Sequence, residues 1–204
     1  MARSDQVAGF ILAGGASSRM GRDKAQLEIG GATLLMRTAR LLEPLIASVT
    51  VIGPRERYAS LGLRVVPDER TGLGPLGGIA TALRISPSPW SLIVGCDLPF
   101  LTSAWLGYLI ARAGVSSADV VLAESTHGPE PLCAIYHKRC EPAIAEVLDQ
   151  GVRKVTDALA RLAVEKVIAA DWKAFDSDGW LFKNINTPAD YQQARARLEV
   201  ESEK

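Results

Sequence analysis

Four short apolar runs, 7–13, 49–53, 64–67 and 90–96, punctuate the first hundred residues, and each is rich in Val, Ile or Leu. Runs of this length without polar alternation fit strands buried on both faces of a parallel sheet. Between them the apolar positions change period. Leu34, Leu35, Thr38, Leu41 and Leu42 recur at helical spacing with Pro44 just beyond, and Leu76, Ile79, Ala80 and Leu83 form a second stripe that ends before Pro87. Thr102 is placed to cap a third helix running to about Ala113. Strand and helix in alternation predict an α/β fold, a mostly parallel sheet flanked by helices.

The second half has another texture. Runs 119–123 and 131–137 read as strands with no long helix between them, so a mixed or antiparallel portion of the sheet is expected there. Helical patterns follow at 138–149 and 154–162, then a strand at 163–169. A last helix is expected to open at Thr187-Pro188, a favourable cap and first-turn pair, and to run to about Glu199. No repeat, linker or shift in composition divides residues 1–204, which read as a single domain with 1–6 and 200–204 frayed.

Charge and composition narrow the function. The chain has 204 residues, with 23 Lys and Arg against 23 Asp and Glu, so no global field draws it to nucleic acid or anionic lipid. A chain of this length buries roughly 70% of its unfolded surface without staples. No apolar run reaches the ~18 residues that span a bilayer. With a short polar start and three cysteines, Cys96, Cys133 and Cys140, the expectation is a cytoplasmic protein with free thiols. Cys133, His137 and Cys140 resemble a zinc set in composition only, because residues four apart on a strand lie ~13 Å from one another.

Chemistry concentrates in four places. Leu12-Ala-Gly-Gly-Ala-Ser-Ser-Arg-Met-Gly-Arg-Asp-Lys24 follows a strand directly and holds Gly14, Gly15, Gly21, Arg19, Arg22 and Lys24. Glycines let backbone N–H groups approach an anion and the cations neutralise it, which describes a phosphate cradle. A Walker A loop is excluded, since Arg22 and Asp23 separate Gly21 from Lys24 and Ala25 stands where a hydroxyl is needed. The second place, Thr71-Gly-Leu-Gly-Pro-Leu-Gly-Gly-Ile79, matches a dinucleotide fingerprint on paper through Gly72, Gly74 and Gly77. However, four residues intervene after the strand, and Pro75 removes a donor from the loop.

The third is Gly95-Cys-Asp-Leu-Pro-Phe100, which puts Asp97 at the carboxyl end of a strand, where α/β sheets collect ligands and where one carboxylate with phosphate oxygens suits Mg²⁺. Asp68 follows Val65-Val-Pro67 in the same way. The fourth is Phe182-Lys-Asn-Ile-Asn-Thr-Pro188, in which Asn184 and Asn186 face one side of an extended segment and suit a phosphate oxygen or metal-bound water, with Lys183 opposite. Alternatively, Asn186 closes the turn before the last helix.

Taken in order, these four motifs resemble the molybdenum cofactor guanylyltransferases, over about residues 7–199. The resemblance implies a Rossmann-like nucleotidyltransferase sheet and Mg²⁺-dependent transfer of GMP from GTP to molybdopterin with release of pyrophosphate. It implies that Leu12, Ala13 and Gly14 contact the nucleotide through backbone, that Lys24 binds phosphate beside Arg19, that Asp68 sits at the nucleotide, and that Asp97 binds the metal. Gly14-Gly15 and the loop at Gly77 favour guanine over the cytosine of the related cytidylyltransferases. The cytidylyltransferase of the same pathway, another sugar-phosphate nucleotidyltransferase and a non-catalytic nucleotide- or cofactor-binding carrier remain the alternative readings. Protein partners implied are cofactor-synthesis or molybdoenzyme-maturation proteins. Ile52-Gly-Pro54 replaces an asparagine that family members often present, so no contact is assigned there.

Overall fold

The computed structural model describes residues 4–14 and 23–202. In chain order the elements are β1 (Val7–Leu12), β2 (Glu28–Ile29), β3 (Ala32–Thr33), α1 (Leu34–Leu42), β4 (Val49–Ile52), α2 (Arg55–Tyr58), β5 (Arg64–Val66), α3 (Pro75–Ile85) and β6 (Trp90–Gly95). The chain continues through α4 (Ser103–Ala113), β7 (Val120–Ser125), β8 (Gly128–His137), α5 (Glu141–Asp149), α6 (Val155–Leu159), β9 (Val164–Val167), α7 (Ala169–Trp172) and α8 (Pro188–Ser202).

Seven strands form one sheet in the order β5-β4-β1-β6-β8-β7-β9. The first four are mutually parallel, β8 runs antiparallel to β6 and β7, and β9 returns parallel to β7. The mixed portion expected for the second half is therefore present. The chain builds from β1 outward to β4 and β5, then crosses back to place β6 on the other side of β1. Strand order reverses there, and diverging connections leave a crevice at the carboxyl ends of β1 and β6. Leu12 lies opposite Gly95, so the chain leaves the two strands side by side at Ala13 and Cys96.

Alternation along β1 builds both cores. Val7 and Ile11 pack with Leu35, Leu42, Trp105 and Leu109 of α1 and α4, whereas Ala8 and Phe10 pack with Leu76, Ile79 and Leu83 of α3 and Ile144 of α5. A third, smaller cluster joins Leu27, Ile29 and Leu34 to Ile185, Ala194 and Leu198, and so fastens α8 over the β2–β3 ribbon. Thr102 caps α4 as expected, accepting from Trp105 N at 3.2 Å.

The differences from the sequence reading have local causes. The 163–169 strand ends at Val167, because Ala169 opens α7 and buries Trp172 against the sheet. The 154–162 helix is confined to Val155–Leu159, and 138–149 divides into a 3₁₀ turn at Lys138–Cys140 and then α5. At the amino end, Ser4 bridges Ile46. Cys133 and His137 stand opposite Val94 and Trp90, near the two ends of β6, and the Cys133 thiol instead accepts the Trp105 indole N–H at 3.2 Å.

Candidate active site

Three remote segments meet at the switch point. Asp23 caps the 3₁₀ turn Lys24–Gln26 by accepting from Ala25 N at 3.1 Å, and its other oxygen accepts from the buried Tyr58 hydroxyl at 2.8 Å. Arg57 adds a cation 3.5 Å from that same oxygen. Held by this turn, the Lys24 ammonium donates to Asn186 Oδ1 at 2.8 Å and lies 3.6 Å from Asp97 Oδ2. Ile185 N donates to Asp97 O at 2.9 Å, and the buried Ile185 side chain locks that segment into the α8 cluster. A cation, a carboxylate and an amide are thus fixed together by backbone and core, before any ligand arrives.

The turn before α8 is closed by other groups than Asn186. Asp190 Oδ2 accepts from Asn186 N at 3.0 Å and Thr187 N at 2.9 Å, and Thr187 Oγ1 accepts in return from Asp190 N at 3.1 Å. That reciprocal cap leaves the Asn186 amide to Lys24. Asn184 Oδ1 is buried without a hydrogen-bond partner among the described residues. Lys183, expected on the opposite side, lines the same cleft as Asn184 and Asn186, because Lys183 N donates to Trp180 O in a turn and strand-like alternation is lost.

On the β5 side of the crevice, Asp68 Oδ1 accepts from Arg70 N at 3.0 Å and from the Thr81 hydroxyl at 2.9 Å. Gly77 lies buried in the first turn of α3, and a Cβ there would stand 2.8 Å from Arg70 O and 3.2 Å from Asp68 Oδ2. Glycine is therefore needed because the Arg70 carbonyl and the Asp68 carboxylate pack directly against its Cα. Two strands separate β5 from β6, roughly 14 Å at ordinary strand spacing, so Asp68 and Asp97 are separate features and do not form one acidic pair.

Leu12 ends β1, Ala13 N is committed to Ile52 O at 2.9 Å, and Gly14 is exposed with φ 116°. Ala13 thus has no free N–H to offer a nucleotide. Gly15 and Arg19 lie outside the described residues.

On the other side of Lys24 and Asp97 opens a cleft of about 1060 Å³, between the end of β6, the β7–β8 tip and the 172–190 segment. Most of its lining residues are polar, and two aromatic rings are buried behind them. Trp172 meets Phe182 edge to face at 5.3 Å and donates its indole N–H to Glu124 O at 2.9 Å, while Phe182 packs on Trp105 at 5.6 Å. Glu130 lines the cleft, and desolvation holds its carboxyl above the usual range against the opposing effect of the Ser125 hydroxyl. Cys96, beside Asp97, is buried, and burial together with the Asp97 charge pushes its thiol far up, which makes it a poor nucleophile.

Sequence reasoning missed Asp23 as an anchor, Tyr58, Glu130 and Trp172. Asp23 had a signal, an Asp one residue before a short turn, whereas Tyr58, Glu130 and Trp172 reach the site only through tertiary packing.

An α/β sheet with a lysine and a carboxylate at its switch point defines a class of proteins that handle phosphate-bearing ligands. The MobA-like NTP transferase domain matches residues 9–164, and the chain belongs to that family. It is 37% identical to a "Probable molybdenum cofactor guanylyltransferase" of Pelotomaculum thermopropionicum over 195 residues, 95% of this chain and 94% of the relative. It is 30% identical to the "Molybdenum cofactor guanylyltransferase" of Shewanella baltica over 203 residues, 97% of this chain and 98% of that one. The fold is shared with the crystal structure of molybdopterin-guanine dinucleotide biosynthesis protein A from Archaeoglobus fulgidus, with TM-score 0.84 and 24% identity over 95% of this chain and 99% of that one. No helix among the described residues is long and apolar enough to cross a membrane.

Proposed function

We propose that the protein transfers GMP from GTP to the terminal phosphate of molybdopterin, giving the guanine dinucleotide form of the cofactor and pyrophosphate. The observation that carries this reading is the Lys24–Asp97–Asn186 junction, which stands between the Asp68–Gly77 corner and the large cleft. Two substrates entering from opposite sides would bring their phosphates together there. An acceptor phosphate oxygen attacks the α-phosphorus of GTP, a new P–O bond forms, and the bond to the bridging oxygen of pyrophosphate breaks. Lys24 neutralises charge on the reacting phosphates, and Asn186 holds the ammonium in place. Both oxygens of this proposed transfer come from substrates, so the buried Cys96 thiol is not needed as a nucleophile.

The guanine assignment is supported at Asp68. Guanine presents N1–H and its 2-amino group as adjacent donors, and the Asp68 carboxylate, whose bonds to Arg70 N and Thr81 use Oδ1, has acceptor capacity for them. Cytosine offers only its 4-amino donor. The residues also suit Mg²⁺. Asp97 and the unpartnered Asn184 oxygen are hard donors, and among the described residues no group of three or more His, Cys, Asp or Glu forms a ready-made cage, so substrate phosphates and water would complete the shell. Bound there, the ion would supply charge neutralisation to the phosphates. Three unpaired cysteines support a reducing, cytoplasmic setting.

Incubation with Mg²⁺, molybdopterin and each of the four nucleoside triphosphates tests the proposal through pyrophosphate release and the dinucleotide product. Product from GTP alone is expected. Equal product from CTP would move the protein to the cytidylyl branch, and nucleotide binding without pyrophosphate would make it a carrier.

A further inference from the structure

The cleft contains a carboxylate that the transfer chemistry leaves unused. Glu130 sits on β8 between Pro129 and Pro131, where pairing with β7 jumps from Leu122 opposite Ala134 to Glu124 opposite Pro129. Two prolines fix the local backbone and offer no ladder N–H, so β8 bulges at this point and Glu130 lines the cleft. Its Oε1 lies 2.6 Å from the Ser125 hydroxyl, which also accepts from His127 N at 3.0 Å and so ties the carboxylate to the hairpin tip. That hydroxyl is its one hydrogen-bond partner among the described residues, and no ion pair reaches it.

A half-buried carboxylate accepts hydrogen bonds and donates none, so its complement is a ligand edge rich in N–H. It repels anions, which leaves the phosphate end of an acceptor to the Lys24 and Asn186 end of the cleft. We infer that Glu130 is the specificity determinant for the acceptor's heterocycle, pairing its carboxylate with the adjacent N3–H and 2-amino donors of a pterin ring. This assignment rests on the reading of the cleft as the acceptor side of the transferase. It orients the acceptor, with the ring against the hairpin tip and the phosphate toward Lys24 and Asn186. The half-buried Pro129, Pro131 and Leu132 that flank Glu130 in the lining supply apolar surface for a planar ring system, with Trp172 and Phe182 buried behind them. Burial already disfavours the Glu130 charge, and two ligand N–H donors would offset that desolvation.

The test uses pterin and lumazine bearing the same 6-substituent, which share N3–H and differ at the 2-position, a 2-amino group beside an acceptor N1 or a 2-oxo group beside N1–H, with affinities read by ligand fluorescence. The wild type is expected to prefer pterin by about tenfold or more, because a 2-oxo group faces the carboxylate oxygens with no proton between them. Glu130→Gln offers one donor and one acceptor at the same position and is expected to bring that ratio to about one or reverse it. Ser125→Ala retains the carboxylate and is expected to keep the preference, and melting curves confirm that both variants fold. Equal affinity of the wild type for the two ligands, or an unchanged ratio in Glu130→Gln, overturns the assignment. GMP transfer to molybdopterin, assayed alongside, separates the two ideas. Transfer without Glu130-dependent discrimination defeats the ring assignment alone, and discrimination without transfer defeats the enzyme reading alone.

Discussion

The β5-β4-β1-β6 half of the sheet and the β8-β7-β9 half prepare for ligands in different ways. In the parallel half close backbone approach shapes the site, as at the exposed, positive-φ Gly14 and at the buried Gly77, whose Cα packs against the Arg70 carbonyl and the Asp68 carboxylate with no room for a Cβ. In the other half the surface is made by side chains such as Glu130, Pro131 and Leu132, placed by a slipped hairpin and backed by the buried Trp172 and Phe182. Glycine loops suit phosphates and a base edge, which are read through backbone groups at close range. A wide cleft suits a bulkier acceptor. Lys24 and Asp97 stand where the two halves meet, so each half should be separable from the other by mutation while the junction should not.

The largest effects are expected at the junction. Lys24→Ala removes a charge-assisted contact to phosphate worth about 3 kcal/mol in the transition state, so kcat/KM should fall by roughly two orders of magnitude with an unchanged melting temperature. Asp97→Asn should behave alike and should also abolish any Mg²⁺-dependent gain in GTP affinity measured by calorimetry. Wild-type kinetics in Lys24→Ala would reduce the junction to a structural contact. Next come substitutions that split the halves. Gly77→Ala puts a methyl group 2.8 Å from Arg70 O, and steady-state kinetics should show KM for GTP rising by about tenfold with KM for molybdopterin unchanged. The crossed experiment is Trp172→Phe, which removes the indole bond to Glu124 O. Acceptor KM should rise a few-fold and GTP affinity should hold, with a stability loss of about 1 kcal/mol in urea unfolding. If both variants shift both constants, the division into halves is wrong.

The smallest effect is expected at Tyr58. Its hydroxyl donates to Asp23 behind Lys24, so Tyr58→Phe should cost about 1 kcal/mol of stability by thermal melting and only a few-fold in kcat.

The two halves also differ in how legible they were from residues alone. Lys24, Asp68 and Asp97 stand in short motifs directly after strands, Gly77 stands in a glycine loop a few residues beyond one, and both strand ends and glycine patterns are local properties of a chain. The alternation of apolar runs and helical stripes likewise sufficed for the parallel half of the sheet. Glu130 had no such signal, because its exposure to the cleft depends on a register slip between two strands that no local pattern encodes. Trp172 reaches the site through an α7 that opens inside a run read as strand, where tertiary burial of the indole decides the turn. The pairing of Lys24 with Asn186 spans 162 residues and depends on Ile185 being buried under α8. Asn186 was ambiguous in sequence for that reason, and the reciprocal cap between Thr187 and Asp190 decides it.

The central claim is that the two halves bring an acceptor phosphate to the α-phosphorus of GTP. Position-specific labelling tests it most directly. With wild-type protein, Mg²⁺ and molybdopterin, label from the α-phosphate of GTP should appear in the dinucleotide, and label from the γ-phosphate should appear wholly in pyrophosphate. Label from the γ-phosphate on the pterin, or α-label left in free GDP, would show attack at another phosphorus and would contradict the account.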